Sequence, residues 1–494
     1  MVAAAAVRIR SVAEAGSSTL AAAALTAAGT VLLAAVSIFR HDRFGSNAYD
    51  LGIFDQTVWG YSRFEMLPNT VLRLPNALGD HFHPILIALG PLYWVWDDAR
   101  VLLVAQAALL ALASVPLFLW ARERLGAVPA LLFQAAYLIF WAVLGGALFD
   151  FHELSVAAPV VSLALYGLLT KRNPPLFVAA AIALLTREDI ALTFVGIGLF
   201  AAIVQRRWKL GAGIAALSFA WFAVAFKLII PALADRAYAH WAYSELGPDP
   251  ARGALHLVTH PLDSIRQFFT PRDKQIALFN LFVPWAGLPL LSPLVLVMLP
   301  TLAARFFSDK PAHWAPQGFH YSLVLAPMLA FAAVDTTARL VERTSSDGRR
   351  RLAFGAGAVV LALGLYFSFA RLRPLDELHR YTGDEQIEAI RSCLDVIPAD
   401  ASVAATSALV PHLSHRRAIY VLDRRPIPRV DVYALDLSTW TFPFTVADAR
   451  RLVAEKRTEG YRVSCSQSFT AVLALGGPTE PLSPEFERLM SESP

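Results

Sequence analysis

The sequence predicts a polytopic helical membrane protein that ends in a small α/β domain. Apolar residues make up 56% of the 494 residues and charged residues only 17%, whereas soluble proteins average about 45–50% and about 25%. Apolar runs long enough to cross a bilayer recur as far as Ala370. We therefore expect a mainly α fold with roughly 9–12 transmembrane or hairpin helices in residues 1–371, and an external α/β domain in residues 372–494.

The first transmembrane helix is expected at residues 20–39. Arg8 and Arg10 precede this apolar run, and Arg40 follows it without a convincing cleavage pattern. The run exceeds the apolar core of a signal peptide, which has about 7–15 residues. We predict an uncleaved helix with its N-terminus in the cytoplasm.

Positive charges predict the topology, because Lys and Arg accumulate in cytoplasmic loops. Five basic clusters are assigned to the cytoplasm: Arg8 with Arg10, 121–126, 171–173, 205–209 and 342–351. Residues 41–99 then form the first external loop with interfacial helices, among them the proline-broken segment 84–96. The remaining predicted helices are 100–120, 127–148, 154–170, 210–231, 320–341 and 352–370.

Two segments are expected to be short hairpins instead of pairs of full spans. Only about 30 apolar residues separate the basic clusters 171–173 and 205–209, whereas two spans need about 40. The polar sequence 186-TRED-189 lies midway between them. It is predicted to form a hairpin tip in a water-filled external cavity, and the proline-rich segment 278–304 is expected to form a similar broken hairpin.

The C-terminal segment alternates strand and helix patterns. Strands are predicted at 400–406, 417–422, 430–437, 461–465 and 469–475, with a helix at 445–460. The segment contains no glycine-rich phosphate loop and no nucleophile motif, so a structural or substrate-orienting role is predicted. Cys393 and Cys465 are the only cysteines, and they form either a disulfide or two unpaired core residues.

Carboxylates and imidazoles cluster at the predicted external rim. A carboxylate beside a bilayer is costly unless it is hydrated, paired or functional. Simpler roles also exist: Asp50 could cap a helix, residues 149–153 could contact headgroups, and Arg187 could form an internal ion pair. The rim residues are Asp50, Asp55, Asp80, His81, Asp150, His152, Glu153, Glu188 and Asp189.

A metal site at Asp80, His81 and His83 is not favoured. Residues at i and i+2 do not share a helix face, so these side chains would converge only in an extended loop. Arg187, Arg305 and His320 are instead candidates to bind a phosphate, because arginine offers a bidentate fork to its oxygens. Lys274 and Lys310 are weaker candidates.

Five motifs carry a resemblance to a known family. They are 49-YDLGIFDQ-56, 79-GDHFHP-84, 149-FDFHE-153, 188-ED-189 and 320-HYS-322, and the segment 397–420 extends the likeness into the C-terminal domain. In this order they resemble a large family of bacterial polytopic membrane proteins in the C-type glycosyltransferase (GT-C) superfamily. One departure is Arg187, at a position where that family commonly has lysine.

The resemblance implies a GT-C-like fold and an enzyme that uses a polyprenyl-phosphate sugar. Such enzymes carry an essential acid soon after the first helix, which Asp50 matches. The predicted reaction transfers the sugar to an envelope glycan, lipid or protein on the external face of the bacterial cytoplasmic membrane, with inversion. Asp50 and Asp55 are the predicted catalytic residues, with Asp50 as general base; no cofactor is expected, and a divalent metal is not favoured.

The other rim residues are predicted to bind substrate, and Arg187, Arg305 and His320 to bind the phosphate. A net charge of only +4 suggests no nucleic-acid partner. Two other functions stay open, a transporter or flippase for a lipid-linked substrate and a non-catalytic envelope-assembly protein. A transporter would be favoured by inverted repeats and acids at the bilayer midplane, and this sequence shows neither pattern.

Overall fold

The protein consists of a helical domain followed by an α/β domain. The computed structural model describes residues 2–317, 319–380, 383–476 and 479–491. The helices of the first domain are α1 Val2–Asp42, α2 Ile53–Ser62, α3 Arg100–Leu112, α4 Ser114–Leu125, α5 Ala127–Leu138, α6 Trp141–Phe149, α7 Leu154–Leu169, α8 Asn173–Thr186, α9 Ile190–Ile203, α10 Trp208–Val224, α11 Ile230–Ala234, α12 Pro250–Thr259, α13 Pro261–Phe269, α14 Arg272–Phe282, α15 Val295–Phe306, α16 Leu325–Glu342 and α17 Ser346–Leu365.

Several helices have the length and composition of membrane spans, as the sequence predicts. Within the described residues, five apolar helical stretches are long enough to cross a bilayer: Gly16–Asp42, Arg100–Leu125, Ala127–Phe149, Trp208–Ala234 and Gly348–Asp376. Shorter apolar helices lie beside them, and α16 is buried along most of its length. The prediction of a polytopic helical fold is therefore confirmed.

The spacing of positive charges correctly predicts the first hairpin. Helices α8 and α9 are each 14 residues long, and Arg187, Glu188 and Asp189 form the connection between them. Helix α9 packs closely on α10, because Gly198 faces Gly211: a Cβ added at Gly198 would lie 2.6 Å from the Gly211 carbonyl oxygen. The predicted broken segment 278–304 comprises the end of α14, two 3₁₀ turns and α15.

The loop between α1 and α3 is folded onto the helical domain. It contains α2 and a 3₁₀ segment, Pro84–Trp94, in the region where an interfacial segment was predicted. Its start, Ala48–Gly52, is an irregular turn that directly precedes α2. We call residues 43–99 the first loop, and the end of the helical domain that carries it the loop side.

The second domain is a mixed sheet with helices on both faces. Its elements are α18 Asp384–Leu394, β1 Val403–Ala405, β2 Ile419–Val421, β3 Val432–Asp436, α19 Val446–Thr458, β4 Tyr461–Gln467, β5 Thr470–Leu475 and α20 Pro484–Ser491. The strand order is β2-β1-β3-β5-β4, in which β2, β1 and β3 are parallel and β5 is antiparallel to both of its neighbours. All five predicted strands and the predicted helix are present.

Alternating side chains of the strands form two cores. Val432 and Ala434 face α18, whereas Tyr433 and Leu435 face α19 and α20. Thr445 is the N-cap of α19 and forms a capping box with Asp448. Cys393 on α18 is disulfide-bonded to Cys465 on β4, which decides the alternative that the sequence leaves open.

The α/β domain docks on the first loop through its α18 side. Phe44, Ala48 and Ile53 of the loop share one apolar core with the sheet residues. Polar contacts fix the register, since the Thr70 hydroxyl donates to the Ile419 carbonyl at 2.6 Å and accepts from the Ile419 amide at 2.9 Å. This docking places the carboxyl ends of the parallel strands beside the start of the first loop.

Candidate active site

A cavity of about 1510 Å³ lies between the loop side of the helical domain and the α/β domain. One part of its wall is apolar and is formed by α10, α12 and α15. The other part is polar and is formed by the first loop, the 150–153 turn, the α8–α9 connection and the segment before α16. Its apolar lining includes Phe219, Phe222, Phe226, Leu257, Ala303 and Phe307, and its polar lining includes Asp50, Asp80, His81, His152, Arg187, Asp189, Arg305, Lys310 and His320.

Asp50 lies at the polar part of the cavity with a strained backbone. Its φ of 86° and ψ of −93° are rare for a residue other than glycine and cost about 1–3 kcal/mol. Helix α2 starts at Ile53 with Gly52 as its N-cap, so Asp50 does not cap it. Strain that serves no cap is typical of functional positions.

The surroundings of Asp50 make its carboxylate more basic. Burial raises the pKa of Asp50 well above its usual value, and the carboxylates of Asp150 and Glu153 raise it further. The nearest imidazole nitrogen, Nε2 of His152, lies 3.7 Å from Asp50 Oδ1. Asp50 is therefore a carboxylate with raised proton affinity that faces the cavity.

Two stacked imidazoles continue the polar wall. The rings of His152 and His320 lie 3.5 Å apart, centroid to centroid. Nδ1 of His152 accepts a hydrogen bond from the Leu154 amide at 3.3 Å, which orients the ring, and it lies 3.0 Å from Glu153 Oε2. Nδ1 of His320 is buried and has no hydrogen-bond partner in the described part of the chain, so it can serve a ligand.

The α8–α9 connection contributes Arg187, but its charge is already compensated. Its Nε and Nη2 donate to the two carboxylate oxygens of Asp189 at 2.7 and 2.6 Å. Its Nη1 donates to Glu153 Oε1 at 3.1 Å. The structure thus supports an internal ion pair, which is the simpler of the two roles that the sequence suggests for Arg187.

Arg305 differs from Arg187 because all its partners are uncharged. Its Nε donates to the His313 carbonyl at 2.6 Å, Nη1 to the Ser322 hydroxyl at 2.7 Å, and Nη2 to the Ala315 carbonyl at 3.2 Å. Arg305 lines the cavity although it is almost fully buried. Its positive charge has no carboxylate partner among the described residues, so it can attract an anionic ligand.

A second polar cluster lies further along the wall. Glu188 is buried behind it, where the His81 ring nitrogen lies 2.6 Å from Oε1 and the Tyr238 hydroxyl donates to the same oxygen at 2.9 Å. His240 stacks on His81 at 4.2 Å and its Nε2 lies 2.9 Å from Asp80 Oδ1. Tyr238 and His240 are not among the residues predicted from the sequence; the signal that marks them is the aromatic-rich stretch 237-AYAHWAYSE-245.

Some predicted site residues lie outside the cavity lining. Asp55 is buried, accepts hydrogen bonds from the Tyr93 and Ser414 hydroxyls at 2.5 Å each, and lies 3.1 Å from the His415 ring nitrogen. Asp150 is buried against Arg40 at 2.5 Å and accepts from the Asn47 amide at 3.0 Å. Asp55 therefore joins the α/β domain to the first loop, and Asp150 holds the turn before Asp50.

Two groups of side chains have the donor types for a divalent cation. Asp50 forms one group with His152 and His320, and Asp80 forms the other with His81 and His240; the ligand atoms in each group lie within 4.8 Å of one another. Nitrogen and oxygen ligands of this kind suit zinc and similar ions. In the structure, His240 joins Asp80 and His81 in the second group, in the place that the sequence suggests for His83. The expectation that no metal is needed stays a prediction.

Comparison with known proteins shows the family. A family model described as "Predicted membrane protein (DUF2079)" matches residues 40–463. The chain belongs to this family. A comparison with curated proteins gives no match. The DUF2079 match spans the helical domain and most of the α/β domain, so it includes all five motifs and the polar wall described above.

Solved structures show that this DUF2079 protein shares its fold with ArnT from Cupriavidus metallidurans. ArnT bound to undecaprenyl phosphate superimposes with a TM-score of 0.59 at 13% identity, over 92% of this chain and 99% of that chain. ArnT in the apo state gives a TM-score of 0.55 at 13% identity, over 91% and 99%. The predicted GT-C-like fold is confirmed.

Proposed function

We propose that this DUF2079 protein is an inverting glycosyltransferase. It transfers a sugar from a polyprenyl-phosphate donor to an acceptor of the cell envelope, on the external face of the bacterial cytoplasmic membrane. One observation carries the proposal: a single cavity joins an apolar wall to a polar wall that contains a basic carboxylate, Asp50, and an uncompensated cation, Arg305.

The apolar wall suits the isoprenoid chain of the donor. Phe219, Phe222 and Phe226 line it from the α10 segment, and Leu257 lines it from α12. The adjoining α12 and α13 expose large apolar side chains, as interfacial helices do: Leu255, Val258, Leu262 and Ile265. A lipid could therefore enter from the membrane, and the fold shared with ArnT, solved with bound undecaprenyl phosphate, supports this choice of lipid.

The phosphate is assigned to Arg305. A buried guanidinium without a carboxylate partner can neutralise the charge that develops on a departing phosphate. Lys310 also lines the cavity, and Nδ1 of His320 has no hydrogen-bond partner among the described residues. Arg187 is also a phosphate-binding candidate from the sequence, but here it is assigned to hold Glu153 and Asp189 in position.

Asp50 is assigned as general base. The acceptor hydroxyl oxygen attacks the anomeric carbon, its proton passes to the Asp50 carboxylate, and the bond from that carbon to the phosphate oxygen breaks. The polyprenyl phosphate leaves with the bonding electron pair, and displacement from the opposite side inverts the anomeric centre. The raised pKa of Asp50 matches this role, because a more basic carboxylate accepts the proton more readily.

The orientation in the membrane follows from charge and redox chemistry. The basic clusters predict that the loop side is external. The disulfide between Cys393 and Cys465 supports the same orientation, because disulfides persist in oxidising compartments and are rare in the cytosol.

The test uses the full-length protein in nanodiscs with undecaprenyl-phosphate sugars as donors. When an envelope extract is supplied as acceptor, we expect release of undecaprenyl phosphate together with formation of the inverted glycoside product. The Asp50→Asn variant should lose at least about a hundredfold in rate, the usual contribution of a general base. Arg339→Gln, which alters a partly exposed arginine paired with Asp335 on α16, is the control and should retain full activity.

Two results would contradict the assignment. Full transfer by Asp50→Asn would exclude Asp50 as base. Binding of undecaprenyl-phosphate sugars without any cleavage, together with their movement between leaflets of proteoliposomes, would favour a transporter.

A further inference from the structure

We propose that the loop 437–444 of the α/β domain binds the acceptor, and that the acceptor is a neutral saccharide stacked on Trp440. This inference rests on the proposed function and specifies its acceptor. We call this segment the acceptor loop.

The acceptor loop lies at the ligand-binding edge of the sheet. In open α/β sheets, ligands bind in the crevice beyond the carboxyl ends of parallel strands. Here β1 ends at Ala405 and β3 at Asp436, and the residues that follow, Ser407 and Ser438, both line the cavity. That edge therefore opens toward the same cavity as Asp50.

The edge is also close to the proposed base in space. The Ser407 hydroxyl accepts a hydrogen bond from the Ala48 amide at 3.2 Å, and Ala48 begins the turn that contains Asp50. An acceptor held at this edge would thus meet the cavity beside the carboxylate that removes its proton.

A buried carboxylate fixes the start of the acceptor loop. Asp436 accepts hydrogen bonds from the Thr439 amide at 2.9 Å, the Thr439 hydroxyl at 2.6 Å and the Ser438 hydroxyl at 3.0 Å. Thr470 and Gln386 also donate to it, at 3.0 Å each. The hydrogen bonds that Asp436 accepts therefore hold the start of the acceptor loop in its conformation.

Buried packing fixes the other end of the loop. Phe444 is part of the core beneath α19, and Thr445 caps that helix. Between the two fixed ends, Trp440 and Phe442 are 64% and 65% exposed, yet both line the cavity. Rigid aromatic side chains that stay exposed at a cavity mouth are suited to bind a ligand.

The chemistry of the loop matches a sugar. A pyranose ring presents C–H groups on its faces, which pack on an indole ring, and hydroxyls at its rim, which can donate hydrogen bonds to the hydroxyl oxygens of Ser407, Ser438 and Thr439. The α/β domain contributes no charged side chain to the cavity lining, as far as its described residues extend. A charged acceptor would leave this wall without a counter-charge, so a neutral saccharide is favoured.

The experiment measures saccharide binding by the full-length protein in nanodiscs. Maltopentaose, chitopentaose, mannopentaose and xylopentaose serve as probes in saturation-transfer NMR titrations. At least one should bind, with a Kd that rises about tenfold in Trp440→Ala, because loss of an aromatic contact of this kind is worth up to about 1.4 kcal/mol. Trp440→Phe, which keeps an aromatic face, should stay within about threefold.

Two controls separate this inference from the proposed function. Val396→Ala removes an exposed apolar side chain elsewhere in the same domain and should bind like the wild type. Arg339→Gln, the control for donor cleavage, lies outside the cavity lining and should also bind the saccharide normally. Saccharide binding that depends on Trp440, in a protein that cleaves no donor, would sustain the acceptor site and reject the transferase.

The inference is overturned if none of the four probes binds, or if Trp440→Ala binds them as well as the wild type does. It is also overturned if brominated lipids quench the fluorescence that Trp440→Phe removes, because Trp440 would then be a membrane anchor.

Discussion

At the scale of single residues, Asp50 combines strain with function. Its positive φ places a carboxylate on the cavity wall at an energetic cost that the surrounding fold must offset. The cost is increased by the neighbouring carboxylates Asp150 and Glu153, which oppose its ionisation. Strain of this kind is typical of functional positions, since glycine at this position would avoid the steric cost.

We predict that Asp50→Gly is inactive but more stable than Asp50→Asn. Glycine adopts positive φ without the steric cost, so the free energy of unfolding should rise by about 1 kcal/mol relative to Asn. Thermal unfolding in detergent micelles measures the difference, and donor cleavage measures activity. Equal stability of the two variants would mean that the turn carries no strain.

The two buried arginines of the cavity should respond differently to the loss of their charge. Arg305→Gln should weaken binding of undecaprenyl phosphate about tenfold or more, because a charged hydrogen bond is lost, and it should destabilise the protein less than Arg187→Gln does, because the partners it leaves are uncharged. Arg187→Gln should instead destabilise the protein by about 3–5 kcal/mol, because it leaves Glu153 as a buried unpaired charge.

Lipid binding and thermal unfolding, measured on both arginine variants, separate these outcomes. The same loss of lipid affinity in both variants, without unfolding, would show that Arg187 contacts the phosphate after all.

At the scale of elements, the short hairpin depends on close contact between α9 and α10. Small residues let membrane helices approach, and van der Waals packing between their backbones then holds them together. Gly198 and Gly211 provide that contact, whereas Gly213, on another face of α10, has nothing within 4 Å of an added Cβ. The hairpin tip with Arg187 is positioned by this packing.

Substitution of the two glycines tests this contact. Gly198→Val should separate the helices and reduce the fraction of monodisperse protein on size-exclusion chromatography, with a loss of about 1–3 kcal/mol from overpacking. Gly213→Val is the matched control and should behave like the wild type. If both variants are equally well folded, the α9–α10 contact is not needed for folding.

At the scale of the whole molecule, a cluster of one histidine and two aspartates joins the two domains. His415 of the α/β domain lies 3.1 Å from Asp55 and 3.2 Å from Asp97, both in the first loop, and packs on Trp59 and Tyr93. Burial alone lowers the pKa of His415, but Asp55, Asp97 and Asp98 outweigh it, so the pKa lies above the usual value.

The sign of this shift predicts a pH dependence of docking. A histidine with a raised pKa contributes its full stabilisation below about pH 6.5, the value in the unfolded chain, and loses it as the pH rises through the folded-state pKa. The difference in Tm between wild type and His415→Gln should therefore be largest near pH 6 and decline toward pH 8.5. Asp97→Asn should reduce the difference, and a constant difference would contradict the ion pair.

Much of this protein is determined by its sequence alone. Apolar runs, basic clusters and strand patterns predict the membrane helices, the α8–α9 hairpin and the five strands, because these features depend on local periodicity and charge. The motifs around Asp50, His152 and His320 predict a polar site, and the structure brings these three residues together on one cavity wall.

Only the tertiary structure decides how each polar residue is used. Asp50 and Asp55 are five positions apart in one motif, yet one faces the cavity and the other holds Ser414 and His415 of the second domain. Arg187 and Arg305 are both phosphate-binding candidates from the sequence. In the structure, Arg187 pairs with the carboxylates of Glu153 and Asp189, whereas the described partners of Arg305 are uncharged. His240 and the acceptor loop join the site through contacts across more than a hundred residues. Such contacts depend on packing and burial, so they cannot be predicted from local sequence patterns.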